Sequence, residues 1–208
     1  RKGSKYYVQN AKQFPASRIT GMINLDTVGR LGKGRLIVLG AGSAKEWSSL
    51  LPEAAKPVKL EIAESPQDLD ASDQKSFHEA GVPAVQFHTG PHPDYHRPTD
   101  TADKIDGNGL AKIATLSRAV AFTLANLPAP LTRTIAAQPG AAAASPRSDR
   151  KVTIGAIPDF TYHGQGVRLS GAMPGGPADA AGLKEGDIII RAGTAPITVL
   201  KDLADALK

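Results

Sequence analysis

The sequence predicts an α/β layer fold with a mainly parallel sheet, followed by a small, mostly-β second domain. Three observations predict this. Strand-like and helix-like segments alternate through residues 1–127, a pattern that builds a sheet covered by helices. Residues 128–150 then hold seven alanines, four prolines and no aromatic residue, too little large apolar surface for a core, so they read as a linker. Residues 151–208 resume with short apolar stretches between glycine-rich turns.

The elements follow in order. Residues 4–12 read as a short helix with Ser4 as its N-cap. Residues 18–27 carry Ile19, Met22, Ile23 and Leu25, the apolar run of a strand buried on both faces. After the turn glycines Gly29, Gly32 and Gly34, residues 35–40 form a second strand. Residues 43–55 are helical, capped by Ser43, with Trp47, Leu50 and Leu51 as the buried stripe. Residues 58–63 alternate apolar and polar, as a strand with one wet face does. Residues 72–81 form a helix ending at Gly81, and Val82–Phe87 is the next strand. The longest helix spans 107–127, where Leu110, Ile113, Leu116, Val120, Leu124 and Leu127 step by three or four. In the second domain a strand spans Lys151–Ile157 and a helix starts near Leu200.

Composition narrows the function. With no cysteine, disulfides, thiolate zinc sites and cysteine nucleophiles are excluded. No apolar run approaches the ~20 residues that span a bilayer. Eight of the first 35 residues are Lys or Arg against one acid, Asp26. They read as a solvated face, and no nucleic-acid partner is expected. Arg1 in place of a methionine, and an end at Lys208 inside a helical stretch, read as a fragment cut at both ends.

The titratable side chains concentrate in residues 86–106. His88, His92 and His96 recur every four residues, which on a helix would stack three imidazoles on one face. Gly90, Pro91, Pro93 and Pro98 forbid that helix, so each histidine stands alone. His96 lies between Asp94 and Asp100, either of which can orient its imidazole; it is a metal ligand or a loop histidine bonded to Asp100. His88, His92, His78 and His163 read as surface or structural residues. Asp26 closes an apolar strand, where an ionised carboxylate needs a cation or several donors. It is a metal ligand, a turn cap, or the partner of Arg30. Asp73 is a helix cap or an acid that supports a ligand, with capping favoured. In parallel sheets ligands sit beyond the carboxyl ends of the strands, so Asp26 and the 88–96 loop are expected to share one crevice.

Three stretches together carry a resemblance: Met22-Ile-Asn-Leu-Asp-Thr-Val-Gly-Arg30, Ser72-Asp-Gln-Lys-Ser-Phe-His-Glu-Ala-Gly-Val-Pro-Ala84 and Gly90-Pro-His-Pro-Asp-Tyr-His-Arg-Pro-Thr-Asp-Thr101. In this order they make residues 1–127 resemble the C-terminal half of bacterial zinc aminopeptidases of the leucyl aminopeptidase and aminopeptidase Y type. The resemblance implies a mixed, mainly parallel sheet sandwiched by helices. It implies two zinc ions, with Asp26 on one and His96 on the other, and Tyr95 donating to the oxyanion of the tetrahedral intermediate. Asp73, Asp94 and Asp100 would support that site. The family's upstream His-x-Asp pair and Glu-Glu pair have no counterpart ahead of the first matched stretch. Arg1-Lys-Gly-Ser-Lys-Tyr-Tyr7 matches the helix that follows the Glu-Glu pair, so these 208 residues alone are expected to be inactive. Gln74 departs from the ring side chain usual at that position.

Pro174-Gly-Gly-Pro-Ala-Asp-Ala-Ala-Gly-Leu-Lys-Glu-Gly-Asp-Ile-Ile189 resembles a bacterial PDZ domain that lacks its last strand. Ile154, Gly155 and Ala156 would then be the loop that cradles a peptide carboxylate, beside a strand edge open to β-augmentation. The combined expectation is a periplasmic or extracellular aminopeptidase acting on peptides, with a PDZ module that binds a peptide or protein. A related carboxypeptidase, a glutaminyl-peptide cyclotransferase and a non-catalytic peptide-binding adaptor are the alternatives.

Overall fold

The computed structural model describes residues 2–66, 72–134, 152–160, 162 and 164–207. Most of the expected linker (135–150), Lys151 and His163 lie outside the described residues. The chain divides into two compact units: one runs to Gly90 and resumes at Thr101, and the other takes Pro91–Asp100 together with the C-terminal region.

The first unit is built on four strands, β1 (Met22–Leu25), β2 (Leu36–Leu39), β3 (Ile62–Ser65) and β4 (Ala84–His88), in the order β1-β4-β2-β3. β1 runs parallel to β4 and β2 parallel to β3, while β2 and β4 are antiparallel. The sheet is therefore mixed and mainly parallel. Side chains alternate across it. Val85 and Phe87 of β4 point into the larger core with Leu36, Val38 and Trp47. Ala84 points the other way, onto Phe77 and Val82.

Helices cover both faces. Helix α2 (Trp47–Ala55) buries Trp47, Leu50, Leu51 and Ala55 in the larger core, and α4 (Gly107–Ala125) buries Ile113, Leu116, Val120 and Leu124 there. On the opposite face, α1 (Lys2–Asn10) and α3 (Gln74–Glu79) flank the smaller cluster, to which Val8 and Phe77 contribute. The α4 stripe starts one turn later than the spacing predicts, because Leu110 is exposed. Asp106 caps α4 by accepting the Gly109 N–H at 2.9 Å.

Four expectations are corrected. The strand expected over 18–27 shortens to β1, preceded by a single 3-10 turn at Ala16–Arg18, and it is not buried on both faces, since Leu25 is exposed. The strand expected over 58–63 shifts to β3, behind a turn at Lys56–Val58. Ser4 lies inside α1 and donates to Asp73 Oδ1 (2.8 Å) instead of capping. Ser43 is buried and braces the sheet: its hydroxyl accepts from Trp47 Nε1 (3.0 Å) and bonds both the Ala84 N–H (3.1 Å) and the Ala84 carbonyl (3.0 Å).

Past α4 the chain stays on the first unit. Leu131 is buried in the larger core, and the Thr132 N–H donates to the Glu46 carboxylate at 2.9 Å. No helix among the described residues is long and apolar enough to cross a membrane.

The C-terminal part of the second unit is small and strand-rich. Strands β5 (Ala156–Pro158), β6 (Val167–Ala172) and β7 (Ile188–Ile189) form an antiparallel sheet in that order, and β8 (Arg191–Ala192) pairs with β9 (Ala195–Pro196). Its core is Val167, Leu169, Ile197 and Leu203. The short helix α5 (Pro177–Ala180) begins on a proline, whose missing N–H costs nothing at a helix start. Helix α6 (Leu200–Ala206) starts where the sequence predicts, with the Asp202 carboxylate accepting the Thr198 N–H at 2.9 Å.

Candidate active site

Asp26 follows β1 directly, and both of its carboxylate oxygens are held by hydroxyls. Ser72 donates to Oδ2 at 2.6 Å and Thr27 to Oδ1 at 3.2 Å. Thr27 has φ +58°, a left-handed conformation that is an outlier for a β-branched residue. The surroundings enforce it: Thr89 donates both its N–H (2.9 Å) and its hydroxyl (2.6 Å) to the Thr27 carbonyl. The same hydroxyl accepts the Arg30 N–H at 3.2 Å, and the Asp106 N–H reaches the Gly29 carbonyl at 2.8 Å. The turn after β1 is thus tied to the end of β4 and the start of α4.

Behind Asp26 runs a polar chain that the sequence reading missed. Ser72 Oγ accepts from Asn24 Nδ2 at 2.9 Å, and the same Asn24 nitrogen donates to Gln74 Oε1 at 2.8 Å. Gln74 Nε2 in turn donates to Gln86 Oε1 at 2.8 Å. Asn24, Gln74 and Gln86 are all buried, Gln74 completely. Three amides buried on the α3 side of the sheet thus connect β1, α3 and β4 to the hydroxyl that holds Asp26. The signal was present: Asn24 and Gln86 interrupt otherwise apolar strands, at positions paired in register. Gln74, the residue that departs from the zinc aminopeptidase pattern, sits at the centre of this chain.

Asp73 stands at the start of α3 but makes no capping bond. Ser4 donates to its Oδ1 at 2.8 Å and also meets Ser76 Oγ at 3.1 Å, so Asp73 fastens α1 to α3. The favoured reading of Asp73 as a cap is corrected accordingly. Its neighbour Ser72 is the one that reaches Asp26.

The loop Pro91–Asp100 is a succession of turns, with the Tyr95 N–H bonded to the His92 carbonyl (3.1 Å), Arg97 N–H to Asp94 (2.9 Å) and Asp100 N–H to Arg97 (3.0 Å). His96 adopts φ +58°, again left-handed without being glycine. The rings of Tyr95 and His96 stack, with centroids 3.8 Å apart and planes 20° from parallel. His92 meets Tyr95 nearly at right angles (89°), with centroids 6.2 Å apart. Tyr95 is exposed. Asp94 and Asp100 enter the turns through their backbones, and the ring against which His96 lies is that of Tyr95.

The remaining described histidines are structural. His88 is buried at the end of β4, and its Nδ1 accepts the Gly90 N–H at 2.8 Å. His78 Nε2 lies 2.9 Å from the Ala84 carbonyl.

Asp26 belongs to the first unit and Tyr95 and His96 to the second. A carboxylate oxygen and an imidazole nitrogen are donors of the kind zinc takes. Among the described residues, however, no group of three or more His, Cys, Asp or Glu is placed to hold a metal ion. The donors fit zinc in kind, and they are too few to complete a site.

In the C-terminal region Gly155 adopts φ +70°. Its N–H donates to Thr153 Oγ1 at 3.3 Å and its carbonyl accepts the Met173 N–H at 2.8 Å, while the Ile154 carbonyl accepts from Ala178 at 2.7 Å. Ala156 opens β5, which lies at the edge of its described sheet.

Comparison with known proteins agrees with this architecture. The model of Peptidase family M28 matches residues 1–121, and the PDZ domain model matches residues 168–208. Serine protease HTRA1 of Xenopus tropicalis is 42% identical over 52 residues, which is 25% of this chain and 11% of that protein. The LapA aminopeptidase of Legionella pneumophila superposes with a TM-score of 0.51 at 20% identity, covering 60% of this chain and 36% of that one, a likeness of fold. An aminopeptidase from Aneurinibacillus sp. strain AM-1 gives a TM-score of 0.49 at 28% identity, over 66% of this chain and 32% of its own. The chain therefore spans a small part of the curated relative and about a third of each aminopeptidase.

Proposed function

The chain belongs to peptidase family M28, and from that premise we propose that it is part of a zinc-dependent aminopeptidase that releases N-terminal residues from peptides. The observation that carries this reading is the Tyr95–His96 ring stack, which lies within the residues matched by the family model, as does Asp26. The C-terminal region carries a PDZ domain match, and on this reading it binds a peptide or protein at β5 and the Ile154–Gly155–Ala156 loop. The setting proposed is the periplasm or exterior of a bacterial cell.

In this proposal Asp26 and His96 hold zinc, together with donors that the described residues do not supply. Bound by these residues, zinc would supply Lewis-acid polarisation of the scissile carbonyl and a water molecule of lowered pKa. Water adds across the amide C–N bond, giving a free amino acid and a peptide one residue shorter. Ser72 and Thr27, by donating to Asp26, fix the direction in which its remaining lone pairs point. Tyr95 donates its phenol O–H to the oxygen of the scissile carbonyl as negative charge develops there. The stack of its ring on His96 supports pairing the donor with this ligand.

The test uses the full-length protein and leucyl-p-nitroanilide. Hydrolysis that a chelator abolishes and zinc restores is expected. No chelator-sensitive release across several N-terminal residues overturns the reading. Tyr95→Phe should lower kcat about 100-fold with little change in KM. A raised KM with unchanged kcat rejects the oxyanion role.

A further inference from the structure

One nitrogen beside this site is unaccounted for. His92 Nδ1 is buried, and among the described residues it has no hydrogen-bond partner. Buried polar atoms are nearly always paired, and a lone one calls for a reason. Packing is not that reason. A phenylalanine at position 92 would give Tyr95 the same perpendicular ring contact without desolvating a nitrogen. The neighbourhood narrows the choice. His92 touches Tyr95 twice, through the ring contact and through its carbonyl, which accepts the Tyr95 N–H at 3.1 Å. Tyr95 in turn lies flat on His96. The three rings form one series, His92 against Tyr95 and Tyr95 against His96.

We infer that His92 is a positioning residue for Tyr95: its Nδ1 takes up a hydrogen bond when substrate fills the site, and that bond locks the phenol in its donating orientation. The inference rests on the reading of Tyr95 as oxyanion donor. It accounts for an imidazole where packing alone asks only for a ring. It also explains why Tyr95 can be exposed in the free protein: a group that donates only in the transition state is best locked after substrate arrives.

The test is a variant set in the full-length zinc-loaded protein, read by kcat, KM, zinc content and affinity for an aminoalkyl boronic acid, a tetrahedral analogue. His92→Phe keeps the ring and removes the nitrogen; it should lower kcat about tenfold with KM within about twofold. Boronate affinity should fall by a similar factor, and zinc content should stay unchanged. His92→Asn places an amide oxygen where Nδ1 was and should restore kcat to within about threefold of wild type. In a Tyr95→Phe background, His92→Phe should cost nothing further, because its effect runs through the phenol. Wild-type kcat in His92→Phe, failure of asparagine to rescue, loss of zinc, or an undiminished effect beside Tyr95→Phe each overturns the inference. Wild-type kcat in Tyr95→Phe alone is a different failure: it removes the oxyanion reading and this inference with it.

Discussion

Gln74 offers the sharpest test of how Asp26 is supported. Replacing it with leucine keeps most of the volume and removes both ends of the amide bridge. Gln86 Oε1 then loses the donor 2.8 Å away, and Asn24 Nδ2 loses one of two acceptors while keeping Ser72 Oγ at 2.9 Å. Gln86 is almost fully buried, so its oxygen cannot turn to water. An orphaned buried acceptor costs about 1–3 kcal/mol and a lost hydrogen bond about 1 kcal/mol, so the expected destabilisation is about 3 kcal/mol. With a urea m-value of about 2 kcal/mol/M, the midpoint should fall by about 1.5 M. Trp47 reports the transition: it is the single tryptophan of these 208 residues and is wholly buried in the core of the same unit. A midpoint that moves by less than about 0.3 M would mean that the amides repack or were never coupled, and the argument for a rigid support behind Asp26 would fail.

Two further predictions concern stability. The Gly109 N–H first, and the Gly32 N–H after it, hold the Asp106 carboxyl below the ordinary aspartate range. A depressed carboxyl pKa stabilises the fold above the unfolded-state value of about 3.9 and loses that contribution as pH falls through the lower folded value. Asp106→Asn should therefore show a flatter fall of the urea midpoint between pH 5 and pH 2, at about those limits, than wild type; equal slopes would contradict the assignment. Ile197→Ala, in the core of the C-terminal region, should destabilise that region by about 3 kcal/mol. Hydrogen exchange should then accelerate in β6, β7 and α6 and stay unchanged in β4 and α4, and a uniform acceleration would refute separate cores.

What was legible in the sequence was whatever a single element decides by itself. Ile113, Leu116, Val120 and Leu124 bury as their spacing requires, and so do Trp47, Leu50 and Leu51. The direction of pairing was not legible. Alternating strands and helices favour parallel neighbours, yet β4 lies between β1 and β2 and runs antiparallel to β2. The three caps failed for one physical reason. Ser4, Ser43 and Asp73 are residue types that satisfy a helix end, but the same hydroxyl or carboxylate serves equally well across a packing interface. Here each is used that way: Ser4 on Asp73, and Ser43 on Trp47 and Ala84.

The site shows the same limit in a form that bears on function. Turns that need a left-handed residue are read from glycine, because glycine enters that region without steric cost. Among the described residues, Thr27, Lys59 and His96 enter it without being glycine. Lys59 merely leaves the 3-10 turn at Lys56–Val58. The other two are Thr27, the neighbour of Asp26, and His96 itself. Strained backbone persists only where its surroundings over-determine it, and it gathers where a side chain must be aimed. For Thr27 those surroundings are visible in the two bonds from Thr89, and the strained residue returns a hydroxyl to Asp26. For His96 they are the turns of its loop and the face of Tyr95. Glycine at either position would relax the backbone but would lose the Thr27 hydroxyl or the His96 imidazole. His96, the imidazole proposed as a ligand, and Thr27, whose hydroxyl holds Asp26, thus occupy positions where conformational preference alone would choose glycine.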